Sequence, residues 1–162
     1  MIRPGRSLLS VSTSGAILLV LVLFASPVAA QKTTLTLTNA TVTFPAPAAA
    51  DYINGYVDAT GVTFQLAATA GASRTATVLI RATSASLGGG KVLGDLEWRR
   101  SDLAIWNPIT TTDVQVEQRV MVKNGANDPW SNTIFFRMLL SWTTDAPATY
   151  SANYVITLSQ TP

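Results

Sequence analysis

The sequence predicts an all-β protein, an antiparallel Greek-key β-sandwich of immunoglobulin-like (Ig-like) type with about eight or nine short strands. Apolar residues recur at every second position in several short runs, turn residues separate these runs, and no stretch has the period of an amphipathic helix. The clearest run spans residues 132–142. Its predicted inward face consists of Ile134, Phe136, Met138, Leu140 and Trp142.

A second alternating run, residues 149–160, lies near the end of the sequence. Because only a short turn segment separates it from the first run, we expect the two to pair as an antiparallel hairpin that contributes to the core. Tyr150 follows a proline-containing turn and resembles the tyrosine corner of Greek-key sandwiches. The predicted inward face of this run consists of Tyr150, Ala152, Tyr154, Ile156 and Leu158.

Residues 1–30 are predicted to be a cleaved secretory signal peptide. Arg3 and Arg6 precede an apolar run at 15–25, and small residues end the segment before Gln31. The run is shorter than the roughly 18 apolar residues that a membrane-spanning helix needs. We therefore expect a secreted protein, located in the periplasm, at the cell surface or outside the cell, with no membrane span in the mature chain.

Residues 31–162 are predicted to fold as a single β-sandwich domain, because their number suits one hydrophobic core. The whole chain has 11 basic and 9 acidic residues, and Arg3 and Arg6 leave with the signal peptide, so the domain is neutral. A neutral domain has little attraction for a polyanion, which argues against a nucleic acid partner. It also has little self-repulsion, which leaves association between copies open.

The chain contains no histidine and no cysteine. This composition excludes histidine-based and thiol-based catalysis, zinc sites made of these residues, and disulfides. We therefore expect a non-catalytic protein without a cofactor. Two alternatives stay open: Asp95 and Glu97 as a catalytic carboxylate pair, although the neighbouring arginines favour a solvated charged edge, and a calcium site at residues 124–128, although that loop has one carboxylate.

The strand predicted at the start of the domain changes phase along its length. Leu35 and Leu37 share one face, and Val42 and Phe44 continue it after a shift of one residue. This shift indicates either a β-bulge or a crossing from one sheet to the other.

The next segments are predicted to be a connection, a hairpin and a loop. Residues 45–61 have the composition of a long connection, with one helical turn near 48–52. Residues 62–69 and 74–83 alternate on either side of a turn, which predicts a β-hairpin. The glycine-rich segment 84–94 lacks the spacing of a phosphate-binding loop and is predicted to be flexible. The residues expected to anchor the connection are Tyr52, Ile53, Tyr56 and Val57.

Three further runs complete the predicted sheets. Residues 95–100 place Leu96 and Trp98 on one face, and Pro108 restricts residues 103–110 to an edge strand or a corner. Residues 113–122 are predicted to point Val114, Val116, Val120 and Val122 inward and Gln115, Glu117 and Arg119 outward.

The four tryptophans include the main candidates for ligand binding. Trp98 and Trp142 alternate with apolar residues and are expected in the core, whereas Trp106 and Trp130 lie at strand ends or in loops. Exposed aromatic rings can stack on sugar rings while nearby polar side chains bond the hydroxyl groups. The candidate ligand-binding residues are Trp106, Trp130, Arg99 and Arg100.

Residues 132–142 together with 148–158 resemble the C-terminal part of secreted bacterial β-sandwich domains of the spore coat U and fimbrial-subunit kind. The resemblance implies a cell-surface structural subunit that assembles by pairing an extended strand of one copy with a sheet edge of another. The cysteine pair of many such subunits is absent here. The implied assembly strand carries Leu35, Leu37, Val42 and Phe44, although pairing of this strand within its own domain is the alternative that we favour.

Two hypotheses for the function follow. The first is a non-catalytic secreted or cell-surface structural protein, pilin-like or coat-like, whose partner is itself or a related surface subunit. The alternative is an extracellular module that binds a carbohydrate or another surface ligand through exposed tryptophans, with a polysaccharide as its partner.

Overall fold

The computed structural model describes residues 32–39, 42–69, 73–88, 90–145 and 153–161. The regular structure of this part of the chain is mostly β-strand with almost no helix, and the strands pair antiparallel in two main sheets, which confirms the all-β prediction. The predicted signal peptide, Tyr150 and Ala152 lie outside the described residues.

Eleven strands and one α-helix make up the described fold. The strands are β1 (Thr33–Thr38), β2 (Tyr56–Asp58), β3 (Val62–Ala68), β4 (Arg74–Ala82), β5 (Ser86–Gly88), β6 (Lys91–Val92), β7 (Leu96–Arg100), β8 (Asn107–Pro108), β9 (Val114–Met121), β10 (Trp130–Leu139) and β11 (Tyr154–Thr161). Helix α1 spans Ala49–Asn54, close to the predicted helical turn, and a 3₁₀ turn spans Leu93–Asp95.

The larger sheet has six strands and the smaller has three. The order in the larger sheet is β1-β3-β10-β7-β8, and β2 pairs with the end of β10 that β3 does not reach. The order in the smaller sheet is β11-β4-β9, while β5 and β6 form a separate two-stranded sheet. The short edge strand β8 contains Pro108, as the sequence predicts.

Strand alternation directs one face of each main sheet into a shared core. In β10, Ile134, Phe136 and Met138 are fully buried, while the residues between them lie on the outer face. The ring of Phe136 contacts the ring of Tyr154 in the smaller sheet, with 5.0 Å between the centroids, so the two sheets pack face to face. Burial of the Tyr154 hydroxyl disfavours its charged form and raises its pKa to about 12.

Both predicted hairpins are wrong. Strands β10 and β11 lie in opposite sheets, and so do β3 and β4. Alternation correctly identified which side chains of these strands point inward, but the two strands of each predicted hairpin belong to different sheets and do not pair with each other. Apolar residues at every second position identify the buried face of a strand, but they do not identify the strand with which it pairs.

Trp142 is not in the core, contrary to the prediction. Strand β10 ends at Leu139, and Trp142 lies in the following turn with 60 % of its surface exposed. Its ring stacks on Tyr52, with centroids 4.6 Å apart. Tyr52 and Val57 are buried and anchor the connection, but Ile53 is exposed, so its predicted anchoring role is wrong.

An extra residue in β9 reverses the predicted orientation of the second half of this strand. The register with β4 shifts so that Val116 has no partner, which is a β-bulge. Val116 and Glu117 are both buried, and beyond them Met121 is buried while Val120 is 54 % exposed. The predictions that Val120 points inward and Glu117 outward are therefore wrong.

The phase change near the start of the domain marks the end of a strand. Strand β1 pairs along its whole length with β3 of the same chain and ends at Thr38. Beyond it, Val42 packs against the core and Phe44 is buried in it, in a segment that belongs to no strand.

The bulge leads to a paired prediction. Met121→Ala should lower the free energy of unfolding by about 2–5 kcal/mol because it leaves a cavity in the core. Val120→Ala should change it by less than about 1 kcal/mol because that side chain is exposed. Urea titrations measure both values, and a larger loss for Val120→Ala would contradict the bulged register.

Candidate functional site

Five side chains alternate along the outer face of the larger sheet, and we call them the Arg-aromatic ladder. Their order is Tyr56, Arg137, Trp106, Arg99 and Phe135. The guanidinium carbon of Arg137 lies 5.2 Å from the ring centroid of Tyr56 and 4.4 Å from that of Trp106. The guanidinium carbon of Arg99 lies 5.0 Å from the centroids of both Trp106 and Phe135. These distances are those of cation–π contacts.

Strand register explains why the ladder forms. Arg99 on β7 lies opposite Phe135 on β10, and Glu97 lies opposite Arg137, so these alternating positions share the outer face. Arg137 is held by Glu97, with an N–O distance of 2.6 Å. Gly61 allows the close approach of Phe135, because a Cβ atom at Gly61 would lie 2.9 Å from a ring carbon.

Trp106 joins the ladder from the segment that connects β7 to β8. Arg99 fixes this segment through its Nη1, which donates hydrogen bonds to the carbonyl oxygens of Leu103 at 2.8 Å and Arg100 at 3.3 Å. The same guanidinium therefore orders the loop and contacts the tryptophan that the loop carries.

A cleft of about 270 Å³ opens beside the ladder, lined by Asp58, Ala59, Arg99, Trp106, Phe135 and Phe136. Arg99 and Asp58 form no ion pair with another described residue. The cleft thus presents aromatic rings, one cationic donor and one anionic acceptor.

The other two predicted ligand-binding residues belong to a network between the two sheets. Arg100 of the larger sheet binds Glu117 of the smaller sheet at 2.5 Å, and it also binds Asp102. The guanidinium of Arg119 lies 3.9 Å from the centroid of Trp130. The structure therefore brings Arg99 and Trp106 together and separates them from Arg100 and Trp130, whose contacts hold the sheets to each other.

A wider groove beside Trp130 has a volume of about 430 Å³. Its polar side chains bond one another, since Ser101 donates to Asn132 at 2.6 Å and Asn132 donates to Asp102 at 2.9 Å. The hydrogen bond from Arg100, opposed by partial burial and assisted by Asn132, lowers the pKa of Asp102 to about 2. Ser101, Asn132 and Asp102 thus use part of their hydrogen-bonding capacity within the groove itself.

Lys91 forms a buried ion pair that the sequence did not indicate. Its Nζ binds a carboxylate oxygen of Asp145 and donates to the carbonyl oxygen of Leu139 at 2.6 Å, and the two charged side chains are only 4 % and 6 % exposed. Burial disfavours the charged form of Asp145, but hydrogen bonds from Lys91 and from the N–H of Ser141 hold its pKa below the ordinary value. A lysine beside consecutive glycines has the sequence pattern of a solvated loop, so only its tertiary partners reveal this role.

The carboxylates considered for calcium binding and catalysis have structural partners. Asp128 accepts hydrogen bonds from the N–H groups of Ala68 and Asn124, each at 2.8 Å, and these bonds lower its pKa. Asp95 accepts from the N–H of Val92, and Glu97 binds Arg137. Within the described ranges, no group of three or more Asp, Glu, His or Cys side chains is arranged to hold a metal ion.

The fold and the candidate site together define a two-sheet antiparallel β-domain with an Arg-aromatic outer face. Comparison with protein-family models, with curated proteins and with solved structures found no match. None of the helices in the part of the chain that the structure describes has the length and apolar character needed to cross a membrane.

The buried ion pair leads to a double-mutant cycle. Lys91→Met and Asp145→Asn should each lower the free energy of unfolding, by up to roughly 3–5 kcal/mol, because each leaves a buried partner unpaired. The double variant should lose less free energy of unfolding than the two single variants lose together. The matched control is the exposed pair Arg81–Asp113, whose coupling should lie within about 0–1 kcal/mol. Equal coupling energies for the two pairs would contradict the assigned role of Lys91.

The lowered pKa of Asp102 predicts a pH dependence. A carboxyl group with a depressed folded-state pKa stabilises the fold above its ordinary pKa of 3.8, and this stabilisation is lost as the pH falls towards about 2. The stability difference between wild type and Asp102→Asn should therefore shrink as the pH is lowered through this window. Urea titrations of both proteins at several acidic pH values measure this stability difference. A difference that does not change with pH would contradict the ion pair with Arg100.

Proposed function

We propose that the protein is a non-catalytic, secreted structural subunit that assembles by strand addition at one side of its sandwich. This side lies where β1 of the larger sheet approaches β11 of the smaller sheet, and we call it the β1–β11 seam. The proposal is supported by an asymmetry between the two sides of the sandwich.

The two sides differ in how their edge strands are protected. On one side, β8 is short and contains Pro108, while β9 carries a bulge and the charged residues Glu117 and Arg119. Prolines, bulges and charges are the features that prevent edge strands from pairing with other chains. On the seam side, β1 and β11 contain no proline and no charged residue. The seam therefore lacks the usual protection.

Backbone groups of the seam point away from their own sheets. The carbonyl oxygen of Lys32 accepts a hydrogen bond from the N–H of Thr69, and that of Asn153 accepts one from the N–H of Thr83. In an antiparallel pair every second residue of a strand bonds its partner, so Lys32 and Asn153 fix which residues of β1 and β11 do so. The residues between those direct their N–H and C=O groups away from their own sheet. Among the residues oriented in this way are Thr33, Leu35 and Leu37 in β1 and Ile156, Leu158 and Gln160 in β11.

Gln160 illustrates how this edge accepts a partner. Its side-chain amide accepts from the N–H of Thr33 at 3.0 Å and donates to the carbonyl oxygen of Thr33 at 2.9 Å. An amide thus forms with Thr33 the two hydrogen bonds that an added strand would form further along the edge.

Side chains along the seam are incompletely buried. Leu35, Leu37, Ile156 and Leu158 pack against the core but are only partly covered, whereas the inward residues of the neighbouring strand β3 are fully buried. An added strand would remove apolar surface from water as well as satisfy backbone groups. Both gains favour a second copy or a related subunit as the partner.

Secretion and the finer fold assignment belong to the same proposal. We propose a Greek-key, Ig-like arrangement, cleavage of the signal peptide after Ala30, and a location in the periplasm, at the cell surface or outside the cell. The resemblance of the last two runs to spore coat U and fimbrial domains supports this proposal. Intact mass of the exported protein tests the cleavage, because a mature chain that begins at Gln31 has a defined mass.

The segment that the sequence predicts as an assembly strand is not donated to another copy in this proposal. Leu35 and Leu37 lie in β1, which pairs with β3 of its own chain, and Phe44 is buried in its own core. Donation of this segment to another copy would have to exchange the same contacts between chains, as in domain swapping. Addition at the seam needs no such exchange.

A proline substitution tests the seam. The N–H of Ile156 points away from β4, so Ile156→Pro removes a donor that only an added strand would use. Ile156→Ala is the matched control, because it loses the side chain and keeps the N–H. Wild type and Ile156→Ala should form oligomers that grow with concentration in light scattering, and Ile156→Pro should stay monomeric while still folded by circular dichroism.

Two results would contradict the assembly proposal. One is a wild-type protein that stays monomeric at every concentration measured. The other is a folded Ile156→Pro variant that assembles as well as Ile156→Ala, since pairing would then use another edge.

A second candidate function is the binding of a saccharide or another surface ligand. It is favoured by the Arg-aromatic ladder and the cleft beside it, because this cleft combines aromatic rings with one cationic and one anionic side chain that form no ion pair with a described residue.

A further inference from the structure

We infer that the cleft between Asp58, Arg99, Trp106 and Phe135 binds a neutral saccharide. This inference rests on the second candidate function, and it goes further by choosing the cleft over the groove beside Trp130 and by naming the ligand class. Three features of the cleft carry it: its aromatic walls, its balanced charge and its rigidity.

The aromatic walls suit the face of a sugar ring. Trp106 and Phe135 both line the cleft, and both are partly exposed. The exposed parts of both rings can pack against the apolar C–H groups of a pyranose while its hydroxyl groups project towards polar side chains. The volume of about 270 Å³ is close to the lower end of the range for small-molecule pockets, which suits one sugar unit of a longer chain.

The charges around the cleft favour a neutral ligand. Glu97 and Arg137 cancel each other in an ion pair at 2.6 Å. Arg99 and Asp58 remain, one of each sign, and neither is paired with a described residue. Arg99 can donate to a hydroxyl oxygen, and Asp58 can accept from a hydroxyl group. A ligand carboxylate would gain from Arg99 but would be repelled by Asp58, so a neutral sugar uses the pair better.

The ladder holds the cleft in a defined shape. Arg99 is fixed by two backbone carbonyl groups and by the rings of Trp106 and Phe135, and Arg137 is fixed by Glu97, by the same Trp106 ring and by Tyr56. A site whose side chains are ordered before binding loses less conformational entropy when the ligand arrives. The strand scaffold therefore favours binding here over binding at a flexible loop.

The other tryptophans are less suited to this role. Trp130 packs on the buried Phe64, with 5.6 Å between centroids, and Arg119 of the facing sheet lies 3.9 Å from its centroid, so Trp130 belongs to the contact between the sheets. Trp142 is exposed, but it stacks on Tyr52 in a turn, and it lines neither the cleft nor the groove.

The test is retention of the folded protein by soluble polysaccharides in native affinity electrophoresis. The panel contains neutral glucan, mannan, xylan and galactan together with the uronates alginate and polygalacturonate. Wild type should be retarded by at least one neutral polysaccharide, and raising the salt concentration should not release it, because no net charge is involved.

Variants locate the site. Asp58→Asn and Trp106→Ala should each weaken binding about ten-fold or more, as truncation of a central contact does. Asp58 forms no side-chain hydrogen bond or ion pair with a described residue, so Asp58→Asn should leave the urea unfolding curve unchanged. The matched controls Trp130→Ala and Trp142→Ala should bind within about two-fold of wild type.

The outcomes separate the two claims. If wild type binds no member of the panel, both the inference and the second candidate function fail. If Trp130→Ala loses binding while Trp106→Ala and Asp58→Asn keep it, saccharide binding stands and the assignment to this cleft is overturned. Binding of uronates alone, abolished by salt, would overturn the neutral ligand class.

Discussion

The bulge at Val116 determines how the two sheets meet. By adding one residue to β9 opposite β4, it turns Glu117 into the sandwich, where the carboxylate binds Arg100 of the facing sheet at 2.5 Å. The same reversal directs Arg119 towards Trp130. One irregular residue thus joins the sheets on the β8–β9 side through charge pairs and hydrogen bonds, and the β1–β11 side is left with partly covered apolar residues and with backbone groups that point away from their own sheets.

Charged groups in this domain specify arrangement more than they add stability. A buried ion pair offsets its own desolvation only in part, but it excludes arrangements in which either charge lacks its partner. Arg100 with Glu117 selects the way β7 faces β9, and Lys91 with Asp145 ties β6 to the turn after β10. Without disulfides, the stability itself has to come from the apolar core, in which β10 is covered by strands on both sides.

The two proposed functions use different surfaces of one scaffold. Assembly uses the backbone edge at the seam, whereas saccharide binding uses the outer face of the larger sheet around Trp106. Addition of a strand to β1 or β11 leaves the Arg-aromatic ladder untouched, because the ladder lies on β2, β7 and β10 and on the segment after β7. A surface subunit could therefore present the cleft at each repeat, and several weak sites in one assembly would bind a polysaccharide more tightly than a single site.

The sequence by itself determined the all-β class, the inward faces of β3, β4, β7 and β10, and the edge position of Pro108, because side-chain alternation and proline geometry are local properties. It also excluded histidine and cysteine chemistry. The tertiary structure decided the rest. Strand partners, the reversal at Val116, the exposure of Trp142 and the burial of Lys91 all depend on residues distant in sequence, and a period of two cannot report them. The candidate site depends on both kinds of information. The sequence indicated Arg99 and Trp106 as candidate ligand-binding residues. Only strand register placed Arg137, Phe135 and Tyr56 beside them, and only the tertiary structure assigned Arg100 and Trp130 to the contact between the sheets.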